Sequence, residues 1–238
     1  AYRDEVAAYF VREYEAGRTP NPDVMCNQHV KFGAFLDFAR QHGADIIATG
    51  HYAQKIETDS GAELHRGVDV NKDQTYFLWT LSNQQLTASL FPVGDTPKAE
   101  IRAEAAAAGI PTAGKKDSQG ICFLGHVDIA EFLGHYADLE PGAVLDQSGA
   151  TIGEHKGALI YTIGQRHGFT ISTHDAARSV HFVVSKDLTH NTITVSTQKP
   201  QRTTSGGISL SHTVTRQAIK PGDSLEAQFR YRQTPVRV

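Results

Sequence analysis

Between about residues 126 and 142 the sequence changes its hydrophobic period, and that change restricts the chain to folds with two kinds of core. Upstream, apolar residues recur at helical spacing and are interrupted by a short continuous apolar run. Downstream, short stretches of alternating polarity are separated by Gly, Asp, Asn and Ser. Helices repeat every 3.6 residues and strands every two, so one layer cannot serve both halves. An α/β part followed by a small β-rich part satisfies the pattern.

In the first part, Val6, Phe10 and Tyr14 predict a helix over residues 1–16, stopped by Gly17. Phe32, Phe35, Leu36 and Ala39 predict a second helix face from about Lys31 to Arg40, with Gly43 as its stop. The run Ala44-Asp45-Ile46-Ile47-Ala48-Thr49-Gly50-His51 reads as a buried strand that breaks at Gly50. Ligands of α/β sheets sit beyond the carboxyl ends of the strands, which makes Gly50 and His51 candidates. Residues 54–70 read as a hairpin around Ser60-Gly61, followed by the polar corner Asn71-Lys72-Asp73-Gln74. Ser82 and Gln85 form a capping box, with Leu81 and Leu86 as its hydrophobic staple. Thr96 as cap and Pro97 in the first helical position predict a further helix that runs to Gly109.

In the second part, 143–145, 151–152, 180–185 and 192–196 read as strands, the last two joined by a turn near His190-Asn191. The segment Tyr161-Thr162-Ile163-Gly164-Gln165-Arg166-His167-Gly168 either grips a phosphate backbone or turns a corner. Near the end, Leu225, Ala227, Phe229 and Tyr231 alternate with Glu226, Gln228, Arg230 and Arg232. That strand would offer two arginines on its open face.

The 238 residues leave room for a sizeable core. No apolar run approaches the roughly 20 residues of a membrane span, and the first residues are not a signal peptide; a cytoplasmic protein is expected. The net charge of −3 is uneven. From Gln198 onward seven Lys and Arg face two Asp and Glu, so that stretch is +5 and the remainder −8. A basic end on an acidic protein suits a polyanionic partner.

Only two cysteines occur, 96 positions apart. Two thiols are no disulfide scaffold, and a reducing compartment suits catalytic use. Cys26 ends the stretch Thr19-Pro20-Asn21-Pro22-Asp23-Val24-Met25-Cys26-Asn27, in which two prolines predict a stiff loop. Asp23 stands three residues away, where a carboxylate can exchange a proton with a thiol. The bland reading is a buried cysteine acting as a small hydrophobe; polar neighbours Asn27, Gln28 and His29 point instead to a reactive group. Cys122 follows Lys115-Lys116, whose charge would favour its thiolate. Cys26 and His29 have metal-ligand spacing without a full ligand set. A cysteine hydrolase using His51 as base would employ one thiol. A sulfur-transfer pair would employ both, because one thiolate can attack a persulfide on the other.

The motifs Thr19 to Asp23 with Cys26-Asn27, Lys31-Phe32, Ala48 to Tyr52, Asn71 to Gln74, Phe91-Pro92-Val93-Gly94, Asp117 to Phe123 and Thr162 to Arg166 occur in one order. Together, from about Tyr2 to Gln233, they resemble the tRNA-specific 2-thiouridylases. The resemblance implies sulfur transfer to the wobble uridine of tRNA. In that chemistry ATP, with magnesium, adenylates the uracil carbonyl and a persulfide sulfur replaces the activated oxygen. It implies Cys122 as persulfide carrier, Cys26 as the nucleophile that closes a disulfide with it, and Asp23 as acid/base. Asn21, Pro22 and Asp23 match contacts to the target base, and Gly50 an ATP contact. His51, Lys72, Asp73, Gln74, Arg230 and Tyr231 match tRNA contacts.

A persulfide-donating relay protein is the further partner implied, with no membrane partner and no protein-bound metal. The implied fold is an adenine nucleotide alpha hydrolase-like, Rossmann-like domain over 1–128, a β-rich central domain over 129–204 and the start of a β-barrel over 205–238. One departure stands out. The Ser-Gly-Gly-x-Asp-Ser phosphate loop of that family is absent from these residues. A fragment truncated at both ends is therefore expected, one that alone binds ATP poorly and does not thiolate. A noncatalytic tRNA-binding module and an amide-forming adenylating ligase are the rival readings.

Overall fold

The computed structural model describes residues 2–59, 61–115, 129–137, 139–172, 179–200, 210, 213–216, 218–228 and 233–238. The first helix opens with wide, π-type turns over Tyr2–Ala7 and continues as α1, Ala8–Glu15. Val6, Phe10 and Tyr14 are all buried, as their spacing predicts, and Gly17 ends the helix at φ +74°. Next come α2 (Pro22–Met25), a π-type segment (Cys26–Ala34) and α3 (Phe35–Gln41), stopped by Gly43 at φ +86°. The strands β1 (Ile47–Ala48), β2 (Ala53–Thr58) and β3 (Gly61–Arg66) precede α4 (Asn83–Thr87), β4 (Ser89–Leu90) and α5 (Lys98–Ala107). Helix α6 (Ile129–Gly134) is followed by β5 (Gly142–Leu145), β6 (Thr151–His155), β7 (Phe169–Ile171), β8 (Phe182–Asp187) and β9 (Thr192–Ser196). The short pair β10 (Glu226–Ala227) and β11 (Val236–Arg237) closes the chain.

The chain divides into two compact units. The α/β unit comprises Ala1–Val6, Asp23–Ser118 and Leu210–Val238. Its core gathers Phe32, Leu36, Ile47, Ala53, Leu78, Leu81 and Ala88, so helix face, strand and hairpin meet in one apolar cluster. Each of the Phe, Leu and Ile side chains contributes on the order of 2 kcal/mol on burial, and each alanine methyl less than about 1 kcal/mol. Strands β1 and β4 run parallel, pairing Ile47 with Ser89 and Ala48 with Leu90. Strands β2 and β3 form the expected hairpin, pairing Thr58 with Gly61. The capping box is present in full: Gln85 N donates to Ser82 Oγ, and Ser82 N donates to Gln85 Oε1.

The β-rich unit comprises Ala7–Pro22 and Gln119–Ser209. Its sheet has the order β7-β6-β5-β9-β8, with β5 and β9 parallel and the other pairs antiparallel. Val144, Ile152, Tyr161, Val183, Ile193 and Val195 fill one face. On α1, Phe10 and Tyr14 pack with Leu133 of α6, and Phe10 meets Phe132 edge-on at 5.5 Å.

Four expectations need correction. Cys26 lies on a helix rather than a loop, because Pro22 occupies the start of α2, where its missing N–H costs nothing and its φ is already helical. Phe35 is 51% exposed; the π-type turns upstream shift the register so that Phe32 and Leu36 bury without it. The expected strand over 44–51 shortens to Ile47–Ala48, since Ile46 and Ala48 are exposed. Finally, Pro97 is itself the cap of α5 and Thr96 Oγ1 turns to Asp95. The first helical N–H, that of Lys98, is instead capped from afar by Asp69 Oδ2 at 3.1 Å.

Candidate functional site

Asp23 and Cys26 stand three residues apart at the join of α2 and the π-type segment, a spacing that puts side chains on one helical face. Asp23 sits in the first turn, where the helix dipole favours a carboxylate, and is half-buried. Cys26 is only 2% exposed, against the expectation raised by its polar sequence neighbours. Asn27 is buried with it: Nδ2 donates to Phe77 O at 2.9 Å, while Oδ1 has no hydrogen-bond partner among the described residues. Extended π-helical geometry is rare and concentrates at functional positions. Here it is held in place by Gln85, whose Nε2 donates to Phe32 O at 2.8 Å and to Gln28 O at 3.2 Å. Gly33 lies five residues beyond Gln28, and a Cβ there would stand 3.0 Å from the Gln28 carbonyl oxygen. The capping residue of α4 thus also secures the segment that carries Cys26.

The carboxyl end of β1 supplies the second part of the site. Gly50 is exposed, and a Cβ added there would meet nothing within 4 Å, so the strand end opens onto accessible space. His51 turns inward. Its Nδ1 is hydrogen-bonded to Thr49 Oγ1 at 2.9 Å, and its ring packs against Phe32 at 5.7 Å and edge-on against Phe91 at 6.3 Å. Burial, reinforced by the charges of Lys31 and Lys72, lowers its pKa to about 4. The imidazole is therefore neutral at pH 7.

The corner at 71–74 is tied to this strand end. Tyr52 N donates to Gln74 Oε1 at 3.1 Å, and Gln74 N donates to Tyr52 O at 2.9 Å. Asp73 uses its carboxylate to hold the corner itself, accepting from Gly67 N, Thr75 N and Thr75 Oγ1. Gly94, of the Phe91 to Gly94 motif, comes so close to β2 that a Cβ would stand 1.6 Å from Ala53 O. That glycine serves the fold beneath the site.

In the β-rich unit, the Thr162 to Gly168 segment is a braced turn. Gly164 and Gly168 have φ of +89° and +95°, Gln165 Nε2 donates to His167 O, and the Tyr161 hydroxyl donates to Gly168 O. Thr162 Oγ1 is hydrogen-bonded to Thr19 Oγ1 at 2.8 Å, just ahead of Asn21 and Pro22. This link has no sequence signal, since the partners are 143 positions apart.

The structure thus brings Gly50, His51, Lys72, Asp73 and Gln74 around one strand end, and sets Asp23 and Cys26 on the segment whose Phe32 touches His51. Cys122, Lys116, Arg230 and Tyr231 lie outside the described residues. No disulfide occurs among the described residues, which include Cys26. Among them, no cluster of three or more His, Cys, Asp or Glu is placed to hold a metal ion. No described helix is long and apolar enough to cross a membrane. Lys31 carried no role in the sequence reading; its place beside Phe32 within a matched motif was the available signal.

Residues 1–126 match the family described as the tRNA methyl transferase HUP domain, and residues 130–197 match the tRNA methyl transferase PRC-barrel domain. The chain is 47% identical over 243 residues to the tRNA-specific 2-thiouridylase MnmA of Enterococcus faecalis, covering 100% of this chain and 64% of that protein. It is 45% identical over 240 residues to the protein of the same name from Escherichia coli O1:K1, covering 99% of this chain and 65% of that one. With that of Chromobacterium violaceum it shares 50% identity over 195 residues, covering 82% and 51%. The chain spans just under two thirds of the length of these curated relatives.

Proposed function

The chain belongs to the family of the tRNA methyl transferase HUP domain, and from that premise we propose that it forms part of an ATP-using tRNA 2-thiouridylase, the activity its relatives are named for. Supporting the reading most directly is the pairing of Asp23 with a buried Cys26 on one short helical face, within a resemblance that covers the whole chain.

In this account the O2 of a tRNA uracil attacks the α-phosphate of ATP and expels pyrophosphate, and the adenylated oxygen becomes a leaving group. Cys122 carries a persulfide delivered by a relay protein. The Cys26 thiolate attacks the inner sulfur of that persulfide, forming a Cys26–Cys122 disulfide and releasing hydrosulfide with both electrons of the broken sulfur–sulfur bond. Hydrosulfide adds to C2 and expels AMP, and a thiol reductant, itself oxidised to a disulfide, returns Cys26 and Cys122 to thiols for the next cycle. Asp23 takes the Cys26 proton and returns it to the leaving groups. Asn21 and Pro22, with Asp23, hold the base. Gly50 gives the nucleotide close access, for which the empty space above its Cα is suited. His51, Lys72, Gln74, Arg230 and Tyr231 contact tRNA, and Asp73 does so through the corner it shapes. The division into domains at 1–128, 129–204 and 205–238 and a cytoplasmic setting belong to the same proposal.

The name of the matched family speaks of methyl transfer, a chemistry that needs no second thiol, so the two cysteines favour sulfur. The test uses the full-length protein with tRNA, ATP and a persulfide donor. Cys26→Ser and Cys122→Ser should each abolish 2-thiouridine formation, read by nucleoside mass spectrometry, while tRNA binding persists. Retained thiolation in either variant, or a methylated product in its place, would reject the proposal.

A further inference from the structure

Trp79, the one tryptophan of the chain, is 42% exposed although Leu78 and Leu81 on either side of it are fully buried. The turn that carries it is held firmly, because Arg216 Nη2 donates to Trp79 O at 3.1 Å and to Leu81 O at 2.7 Å. Together with Arg66, Thr75, Tyr76 and Gln228, Trp79 lines a cleft of about 420 Å³ within the α/β unit. Arg66 ends β3 opposite Ala53, and its Nη2 donates to Gln228 Oε1 at 3.3 Å. The same two side chains line a second cleft, of about 330 Å³, which extends to Asn71 and Asp73 of the polar corner. Arg66 therefore stands between that corner and Trp79. Asp73, through its bonds to Gly67 N, Thr75 N and Thr75 Oγ1, braces the backbone where the two clefts adjoin.

A lone exposed aromatic residue is ordinary on a protein surface. Two aromatic side chains and a guanidinium around one cleft are the parts that bind unpaired RNA, in which a base stacks on the ring and the cation takes the backbone phosphate. We propose that this cleft holds one unstacked nucleotide of the tRNA, its base against Trp79 and its phosphate on Arg66, where the strand leaves the 71–74 corner. The inference rests on the reading of the protein as a tRNA-using enzyme and gives that reading two further binding residues. A guanidinium carries five N–H donors in a planar fork, so Arg66 serves Gln228 and a phosphate together. Tyr76, edge-on to Phe77 at 5.4 Å, supplies the second aromatic wall.

With one tryptophan in the chain, intrinsic fluorescence reports on this cleft alone. The wild-type chain is titrated with an unmodified tRNA transcript, with a fully paired RNA duplex and with ATP. The transcript should quench Trp79, and the duplex, whose bases stay stacked on one another, should not. Anisotropy of a labelled transcript over a range of salt then compares Trp79→Ala, Trp79→Phe and Arg66→Gln, with thermal melts to check folding. Trp79→Ala should weaken binding about tenfold at an unchanged salt slope, and Trp79→Phe should recover most of that loss. Arg66→Gln should weaken binding about five- to tenfold with a slope shallower by about one, while saturating tRNA still quenches Trp79. Saturating tRNA that leaves the fluorescence unchanged, equal quenching by the duplex, or wild-type affinity in Trp79→Ala overturns the site alone. Quenching by ATP and not by tRNA overturns its assignment to RNA. Absence of tRNA binding by the wild-type chain overturns the functional reading together with it.

Discussion

Acidification should destabilise this fold through His51, by an amount that the geometry fixes. The ring is buried between Phe32 and Phe91 and lies near Lys31 and Lys72, so its pKa falls from an ordinary 6.5 to about 4. Between those values the unfolded chain takes up a proton at this position and the native protein does not. The unfolded state then binds more protons, and stability drops as pH falls through that window. A displacement of roughly 2.5 units corresponds to about 3 kcal/mol once pH has passed below the native value, and to about 2 kcal/mol between about pH 7.5 and pH 5. Urea denaturation across this range, for wild type and for His51→Gln, isolates the contribution. Subtraction is needed because burial also holds His155 below its usual pKa and adds loss of the same sign. The difference between the two stability curves should narrow by about 2 kcal/mol on acidification. Parallel curves, or an NMR titration of the His51 ring near 6.5 in the folded protein, would refute the reasoning.

Further outcomes separate residues that build the fold from those that serve the site. Gly94→Ala should unfold or severely weaken the α/β unit, by more than about 3 kcal/mol in a thermal melt, because its Cβ would collide with backbone at Ala53. Gly50→Ala should leave the melting temperature nearly unchanged, since its Cβ meets nothing, yet weaken ATP use by the full-length enzyme. Gln85→Ala should cost about 2–3 kcal/mol, because it breaks the capping box and both bonds to the Cys26 segment, whereas Ser82→Ala should cost about 1 kcal/mol. Equal losses at Gln85 and Ser82 would show that the tie to Gln28 and Phe32 carries little weight.

What the sequence disclosed was local or periodic. The burial of Val6, Phe10 and Tyr14 follows from a four-residue recurrence, and the capping box from two residue types at fixed spacing. The hairpin at β2–β3 and the short strands of the second unit follow from alternation and turn residues. Long-range features were not legible. The π-type turns that bury Cys26 and expose Phe35 depend on Gln85, more than fifty positions away. Asp69 as the cap of α5 could not be read from the local Thr96-Pro97 pattern, which offers Thr96 as a cap that the structure does not use. At the site, residue types and motifs pointed to Gly50, His51 and the 71–74 corner, and these do converge. The neutral state of His51 and the approach of Lys31 arise from packing against Phe32 and Phe91, which no spacing rule encodes.

The proposed chemistry stands on one bond that forms and is later broken. Full-length protein charged with a persulfide donor is mixed with tRNA and ATP in the absence of reductant, quenched with acid and an alkylating agent, and its peptides are mapped without reduction. A Cys26–Cys122 disulfide should appear in step with 2-thiouridine, about one per thiolated tRNA. Thiolated tRNA accumulating while Cys26 is recovered wholly alkylated would contradict the account.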